Sequence, residues 1–202
     1  MKEKLLQELH EIRTNTKKRD FTQTLELQIK LKDHNNIIVK NVILPYKIRL
    51  KSINICFFTN YKHENIANEL GIMSIREDNL INLKNDKILL KNLISTYDIF
   101  FCSDTIIKKL PLSSPLFSEL YNKEKYPRII HTDDNIPEKI NIEKRKIRWK
   151  FKSNNTQNIA VGNESLTDDQ LMENILCALY SLQGKIDTAY IKYTMGSSVK
   201  II

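Results

Sequence analysis

Apolar and polar residues follow two different periodicities near the N-terminal end of the chain. Over residues 3–14 the apolar positions have helical spacing, which predicts an amphipathic helix. Over residues 21–32 (FTQTLELQIKLK) apolar and polar positions alternate strictly, which predicts a half-buried strand with a hydrogen-bonding outer face. A second strand is expected at 39–44.

The same alternation returns near the C-terminal end. Residues 146–152 (KIRWKFK) and 189–195 (AYIKYTM) predict two further half-buried strands. Between them a helix is expected to begin at Thr167, with Gln170 completing a capping box, and to stop at Gly184. The stretch between the strand at 146–152 and this helix is expected to be a loop.

The middle of the chain has continuous apolar runs in place of alternation. Such runs are typical of strands that are buried on both faces of a parallel sheet, and helical stretches separate them here. The middle therefore predicts a small parallel α/β unit. Its strands are expected at 53–59, 98–103 and 128–132, its helices at 62–70, 77–96 and near 104–110, and a polar stretch with Pro137 follows.

These hydrophobic patterns predict an α+β split domain, made of the N- and C-terminal segments, with an inserted α/β Rossmann-like domain. The split domain comprises residues 1–50 and 146–202, and the insertion comprises residues 51–145. Two chain crossings between the domains are expected to act as a hinge.

Composition narrows the classes of function. The formal net charge of +8 and the pI near 9.3 favour a polyanionic partner, most often nucleic acid, although high charge also serves solubility. Only four glycines are present, and none forms a GxGxxG or Walker loop. The three cysteines lack CxxC spacing, which indicates a reducing compartment, and the four histidines lack metal-ligand spacing. We therefore expect no cofactor and no metal. We also expect no membrane segment, because the N-terminus mixes acids with bases and no apolar run could span a bilayer.

The polar faces of the terminal strands are the candidate functional surface. Their cations suit phosphates, and their hydroxyl, amide and carboxylate groups suit ribose 2′-hydroxyls and base edges. An ordinary solvated sheet face remains the alternative on pattern alone. The residues concerned are Thr22, Thr24, Glu26, Gln28, Lys30, Arg148, Lys150, Lys152, Lys192 and Thr194.

Four segments, in order along nearly the whole chain, resemble one known family. KKRDFTQTLELQIKLK and the closing IKYTMG resemble the first strand and the Thr-Met-Gly element of the universal ribosomal protein L-one family. KILLKNLISTYDIFFCSDTIIKKLP resembles the inserted domain of its eukaryotic cytosolic type, also called L-ten-a. AVGNESLTDDQLMENI resembles the family's Val-Gly segment and the helix that follows it.

The resemblance implies a structural, non-enzymatic constituent of the cytosolic large ribosomal subunit. It implies binding to a junction of large-subunit ribosomal RNA, formation of the mobile stalk beside the tRNA exit site, and transient contact with exit-site tRNA that assists release of deacylated tRNA. Other ribosomal components are further expected partners. Carried over residue by residue, the RNA contacts of the family would fall on Phe21, Glu26, Thr194, Met195 and Gly196. The polar and basic pattern adds the further RNA-binding candidates Lys17, Lys18, Arg19, Thr24, Gln28, Lys30 and Lys192.

Some of these residues admit other interpretations. Phe21 and Met195 offer apolar surface to sugar or base, or else they fill a core. Asp20 stands where the family has a basic residue, so Lys18 or Arg19 would supply that phosphate contact. The glycine-rich loop expected in the inserted domain is also replaced, by LPLSSPLFSELYNKEKYP.

Two other functions stay open. The same surface would serve a translational repressor or a ribosome assembly factor acting on another RNA. An enzyme in the α/β domain would use Asp98, Asp104, Asp133 and Asp134 as acid/base groups or Mg²⁺ ligands, although no nucleophile or phosphate loop accompanies them.

Overall fold

The computed structural model describes residues 2–32, 38–48, 53–80, 86–109, 114–131, 134–151 and 155–202. By internal packing the chain divides into two compact units. The first unit is Met1–Lys51 with Asn141–Ile202, and the second unit is Ser52–Ile140. The described residues mix helices with strands, and one of the sheets is parallel, so the mixed α/β class of the sequence prediction is confirmed.

In chain order the described elements are α1 (Lys2–Asn15), β1 (Thr24–Leu31), β2 (Ile38–Ile43), β3 (Ile55–Thr59), α2 (Tyr61–Glu69), β4 (Met73–Arg76), α3 (Lys87–Thr96), β5 (Ile99–Ser103), α4 (Asp104–Lys109), α5 (Pro115–Asn122), β6 (Arg128–Ile130), α6 (Ile136–Arg145), β7 (Lys146–Phe151), β8 (Thr156–Asn163), α7 (Asp168–Ser181), β9 (Ile186–Tyr193) and β10 (Val199–Lys200). Among the helices in these ranges, none is long and apolar enough to cross a membrane.

The first unit is built around β1, which lies between β9 and β8 in an antiparallel sheet ordered β10-β9-β1-β8. The alternation in its sequence explains its burial, because every second side chain from Leu25 to Leu31 is fully buried. Helices α1 and α7 contribute apolar residues to the same core. A separate two-stranded sheet pairs β2 with β7.

Helix α7 begins and ends as the sequence predicts. The Thr167 side chain accepts a hydrogen bond from the Gln170 N–H, and the Gln170 side chain accepts one from the Thr167 N–H, which completes the capping box. Gly184 follows the helix with a φ of +81°, a conformation that favours glycine.

The second unit is a parallel sheet ordered β4-β3-β5-β6, covered on both faces. Cys56 and Phe58 pack with residues of α3, α4 and α5, whereas Ile55 and Phe57 pack with residues of α2 and α6. Because both faces are covered, all five residues of β3 are buried, and its sequence has no polar alternation.

Two local predictions are wrong, and one helix was not predicted. A single helix over 77–96 does not form, because Asp86 is extended (φ −114°, ψ 98°) and caps the new helix α3. Residues 81–85 of that prediction lie outside the described residues. The stretch with Pro137 is helical, since proline is tolerated in the first turn of a helix. The stretch expected to be a loop before α7 contains the strand β8.

Candidate nucleic-acid interface

The outer face of the β9-β1 pair brings together several residues that the sequence analysis selected. Strand pairing sets Glu26 opposite Lys192, and their charged groups lie 3.8 Å apart, with both side chains partly exposed. Lys30 lies 3.5 Å from Asp187 and is likewise accessible. Exposed ion pairs of this kind contribute little stability, so both lysines can exchange their carboxylate partner for a phosphate at small cost.

Thr24 and Gln28 share this face with Glu26, because side chains two residues apart on a strand point the same way. Both are partly exposed. A hydroxyl, an amide and a carboxylate therefore form a row that presents hydrogen-bond acceptors to a partner.

Strand β9 runs into a turn formed by Thr194, Met195 and Gly196, here called the 194–196 turn. The N–H of Thr194 and its hydroxyl both donate to the Thr24 carbonyl oxygen, at 3.1 Å and 3.2 Å. Because the hydroxyl proton is used within the chain, Thr194 Oγ1 faces any partner as an acceptor. Met195 is 62% exposed, so the core interpretation of this residue is wrong.

Gly196 lies beside the end of α1. A Cβ built on it would be 3.4 Å from Thr16 Oγ1, which is ordinary van der Waals contact. The fold of this chain therefore does not itself require glycine at this position.

Residues 17–22, here called the 17–22 segment, follow Thr16 directly. All six are exposed, including Lys17, Lys18 and Arg19. Phe21 is 53% exposed, so it does not fill a core either. The segment thus combines three cations with one exposed aromatic ring, the residue types that contact phosphates and unstacked bases.

Three residues hold the 17–22 segment in place. The sequence analysis did not assign them to this site. Gln23 is fully buried and hydrogen-bonded to Glu164, and Arg13 donates to the carbonyl oxygens of Glu164 and Leu166. The Arg13 guanidinium also lies 2.7 Å from the Asp168 carboxylate. It therefore serves the fold, and its spacing in the sequence carries no signal of this.

Two basic residues of the predicted surface lie on a different sheet. Arg148 and Lys150 lie on β7, which pairs with β2 and not with β1 or β9. The prediction that they share one sheet face with Lys30 is therefore not met, because the neighbour of β1 on that side is β8. Lys152 lies outside the described residues.

The acidic residues considered for catalysis make structural contacts. Asp98 accepts a hydrogen bond from the Asn54 N–H at 3.2 Å. Burial alone would raise the pKa of Asp104, but its hydrogen bond and ion pair with Lys108 outweigh this and lower that pKa. The hydrogen bond from Lys139 lowers the pKa of Asp134.

Asp133 lies outside the described residues. Within the part of the chain that the structure describes, there is no group of three or more His, Cys, Asp or Glu residues placed to hold a metal ion.

The first unit thus combines an exposed basic segment, hydrogen-bonding strands and two exposed apolar side chains, which are the residue types with which proteins contact nucleic acids. Comparison with known families is specific: residues 10–197 match the model of the ribosomal protein L1p/L10e family. The chain belongs to that family, as its resemblance to the L-one proteins indicated.

Full-length relatives agree with this assignment. The chain is 30% identical over 201 residues to large ribosomal subunit protein uL1z of Arabidopsis thaliana, an alignment that covers 94% of this chain and 91% of the relative. It is 32% identical over 205 residues to uL1 of Candida albicans, covering 96% and 93%. It is also 32% identical over 196 residues to uL1 of Entamoeba histolytica, covering 92% and 90%.

Proposed function

We propose that this chain is a structural constituent of the cytosolic large ribosomal subunit, where its first unit binds large-subunit ribosomal RNA. The observation that carries the proposal is the exposure of two apolar side chains, Phe21 and Met195, on the unit that also presents exposed cations and hydrogen-bond acceptors. Membership of a ribosomal protein family and relatives named as large-subunit proteins support it. The role is structural, and no catalytic step is assigned to the chain.

Each part of the surface has a chemical task in this proposal. Lys17, Lys18 and Arg19 neutralise phosphates, which supplies affinity without sequence preference. Phe21 and Met195 pack on a base or sugar, with the aromatic ring worth about 1–3 kcal/mol if a base stacks on it.

The acceptors on the same surface favour RNA over other polyanions. The hydroxyl of Thr194 already donates to the Thr24 carbonyl, so it accepts from a 2′-hydroxyl or a base amino group. Glu26 also offers only acceptors, and Lys192 beside it offsets the repulsion that a lone carboxylate would meet near phosphates. Lys30 and Gln28 extend the contact along β1, and Gly196 lets the RNA approach the backbone.

In the assembled subunit, we propose, the bound RNA and this chain form the mobile stalk beside the tRNA exit site. The second unit contacts exit-site tRNA transiently, which assists release of deacylated tRNA. This part of the proposal rests on membership of the ribosomal protein L1p/L10e family.

A comparison of fragments tests whether the RNA site lies in the first unit. Residues 1–50 joined by a short linker to 146–202 should bind a stalk-junction fragment of large-subunit ribosomal RNA with nearly the affinity of the full chain. Residues 51–145 alone should bind it far more weakly. Equal affinity of the two fragments, each confirmed as folded by circular dichroism, would refute the placement of the RNA site in the first unit.

A further inference from the structure

One buried side chain ties the two ends of the 17–22 segment together. Gln23 is 0% exposed, although all six residues before it are exposed. Its Nε2 donates to the Lys17 carbonyl oxygen at 3.3 Å and to Glu164 Oε1 at 2.9 Å. Because both partners are acceptors, the orientation of the amide is fixed, and the segment is closed into a loop.

Glu164 holds Gln23 through three hydrogen bonds. Its Oε2 accepts from the Gln23 N–H at 3.1 Å, its Oε1 accepts from the side-chain amide, and its own N–H donates to the Gln23 carbonyl oxygen at 3.1 Å. Arg13 fixes Glu164 in turn by donating to its carbonyl oxygen at 3.3 Å. Both carboxylate oxygens are thus used on one residue. We call this pair the Gln23–Glu164 latch.

We propose that Glu164 is a positioning residue for RNA binding, an inference that rests on the proposed function. Glu164 holds the 17–22 segment in one conformation, so that Lys18, Arg19 and Phe21 are already arranged when RNA arrives. Ordering a free loop on binding subtracts from affinity, whereas a loop ordered in the free protein avoids that cost. Glu164 itself makes no contact with RNA in this proposal.

The sign of the effect separates this proposal from simple electrostatics. Glu164 is negatively charged, so replacing it by a neutral residue should strengthen binding to a polyanion if charge alone matters. Loss of the latch predicts the opposite. In Glu164→Gln an amide N–H₂ replaces one acceptor, so a donor faces either the Gln23 N–H or the Gln23 side-chain amide.

Asp169→Asn is the matched control. Asp169 is an exposed carboxylate five positions along the chain, and its replacement removes the same charge without touching the latch.

The binding experiment uses the full chain and a fluorescent stalk-junction fragment of ribosomal RNA. Glu164→Gln should bind about tenfold more weakly than wild type, while Asp169→Asn binds equally or more tightly. A segment-blank variant, with Lys17, Lys18, Arg19 and Phe21 all changed to alanine, should also bind weakly. Adding Glu164→Gln to the segment-blank variant should cost nothing further, because the latch then has no contacts to arrange.

Two results would overturn the latch proposal. One is wild-type or tighter binding by Glu164→Gln, and the other is a full additional loss when Glu164→Gln is combined with the segment-blank variant. A segment-blank variant that binds like wild type is a different failure. It would overturn the assignment of the 17–22 segment to RNA binding, and with it the role of the latch.

A measurement without RNA tests the latch by itself. Amide hydrogen exchange at Gln23 should be at least about tenfold faster in Glu164→Gln than in wild type, and unchanged in Asp169→Asn. The exchanged pair, Gln23→Glu with Glu164→Gln, restores an acceptor for the backbone N–H and should recover part of the protection even if either single variant folds poorly. Unchanged exchange at Gln23 would overturn the latch, whatever the affinities.

Discussion

Removal of the Phe21 ring is the perturbation whose size the structure sets most directly. Phe21 is 53% exposed, and a phenylalanine offers about 200 Å² of surface, so about 100 Å² is free to be covered by RNA. At about 25 cal/mol per Å², that area corresponds to about 2.5 kcal/mol, or roughly 70-fold in affinity. Phe21→Ala should therefore weaken RNA binding by that order, while thermal stability changes little because the ring is already largely outside the core.

The assay is fluorescence anisotropy with a stalk-junction RNA at one fixed salt concentration, beside thermal unfolding of each variant. Ile43→Ala is the control, because Ile43 is similarly exposed (49%) in the same unit but lies on β2, outside the proposed surface. A folded Phe21→Ala protein whose affinity stays within about twofold of wild type would refute the role given to the ring.

Four further predictions concern the proposed RNA-binding surface and the buried cysteines of the second unit. If about five or six phosphates are neutralised, log affinity should fall against log salt with a slope of roughly −4 to −5, and a slope near zero would exclude phosphate-dominated binding. Thr194→Val loses the exposed bond to the Thr24 carbonyl, which should cost about 0.5–1 kcal/mol of stability, and should lose about 5- to 150-fold in RNA affinity without changing the salt slope. Gly196→Ala should fold normally, because the added methyl makes only ordinary contact, yet should bind RNA more weakly in a filter-binding assay; equal binding would mean that the RNA does not approach the backbone there. Burial raises the pKa of the Cys56 and Cys102 thiols to about 12, so the stability that they contribute is full below the unfolded thiol pKa of about 8.5 and is lost as pH rises toward about 12. Maleimide at pH 8 should accordingly label these two thiols only as fast as the second unit opens. The labelled residues must be identified by peptide mass because Cys177 is partly exposed, and rapid labelling of Cys56 or Cys102 in the folded protein would contradict their burial.

Elements with an undisturbed periodicity could be predicted from the sequence alone. Strand β1 has strict alternation and β3 has a continuous apolar run, and each pattern follows from how many faces of the strand are covered. The capping box at Thr167 was also readable, because its chemistry lies within four consecutive residues.

Strand β8 shows why other elements were missed. Its burial pattern alternates only at first and ends with three consecutive buried residues. The pairing register with β1 shifts between Leu25 and Glu26, so an irregularity interrupts the period-two pattern on which sequence reasoning depends. The helix that contains Pro137 was not predicted for a different reason, because proline ends a helix when it lies in the interior and is tolerated in the first turn.

The candidate site divides in the same way. The sequence pattern assigned Thr194 and Thr24 to the polar faces of the terminal strands, and the hydrogen bonds from Thr194 to the Thr24 carbonyl oxygen bring the two residues together; the RNA contact itself stays a prediction. The Gln23–Glu164 latch could not be predicted, because its two residues are 141 positions apart and meet only through the pairing of β1 with β8. A single glutamine and a single glutamate carry no local signal of such a contact.

Sedimentation of cell extract tests the central claim most directly. If the chain is a structural constituent of the large subunit, it should be found with free large subunits, with complete ribosomes and with polysomes, and it should stay there through a moderate salt wash. The Phe21→Ala variant should be depleted from these fractions in favour of wild-type protein when both are expressed together. Recovery of the wild-type chain only in ribosome-free fractions, or only with precursor subunits and never with polysomes, would contradict the proposed function.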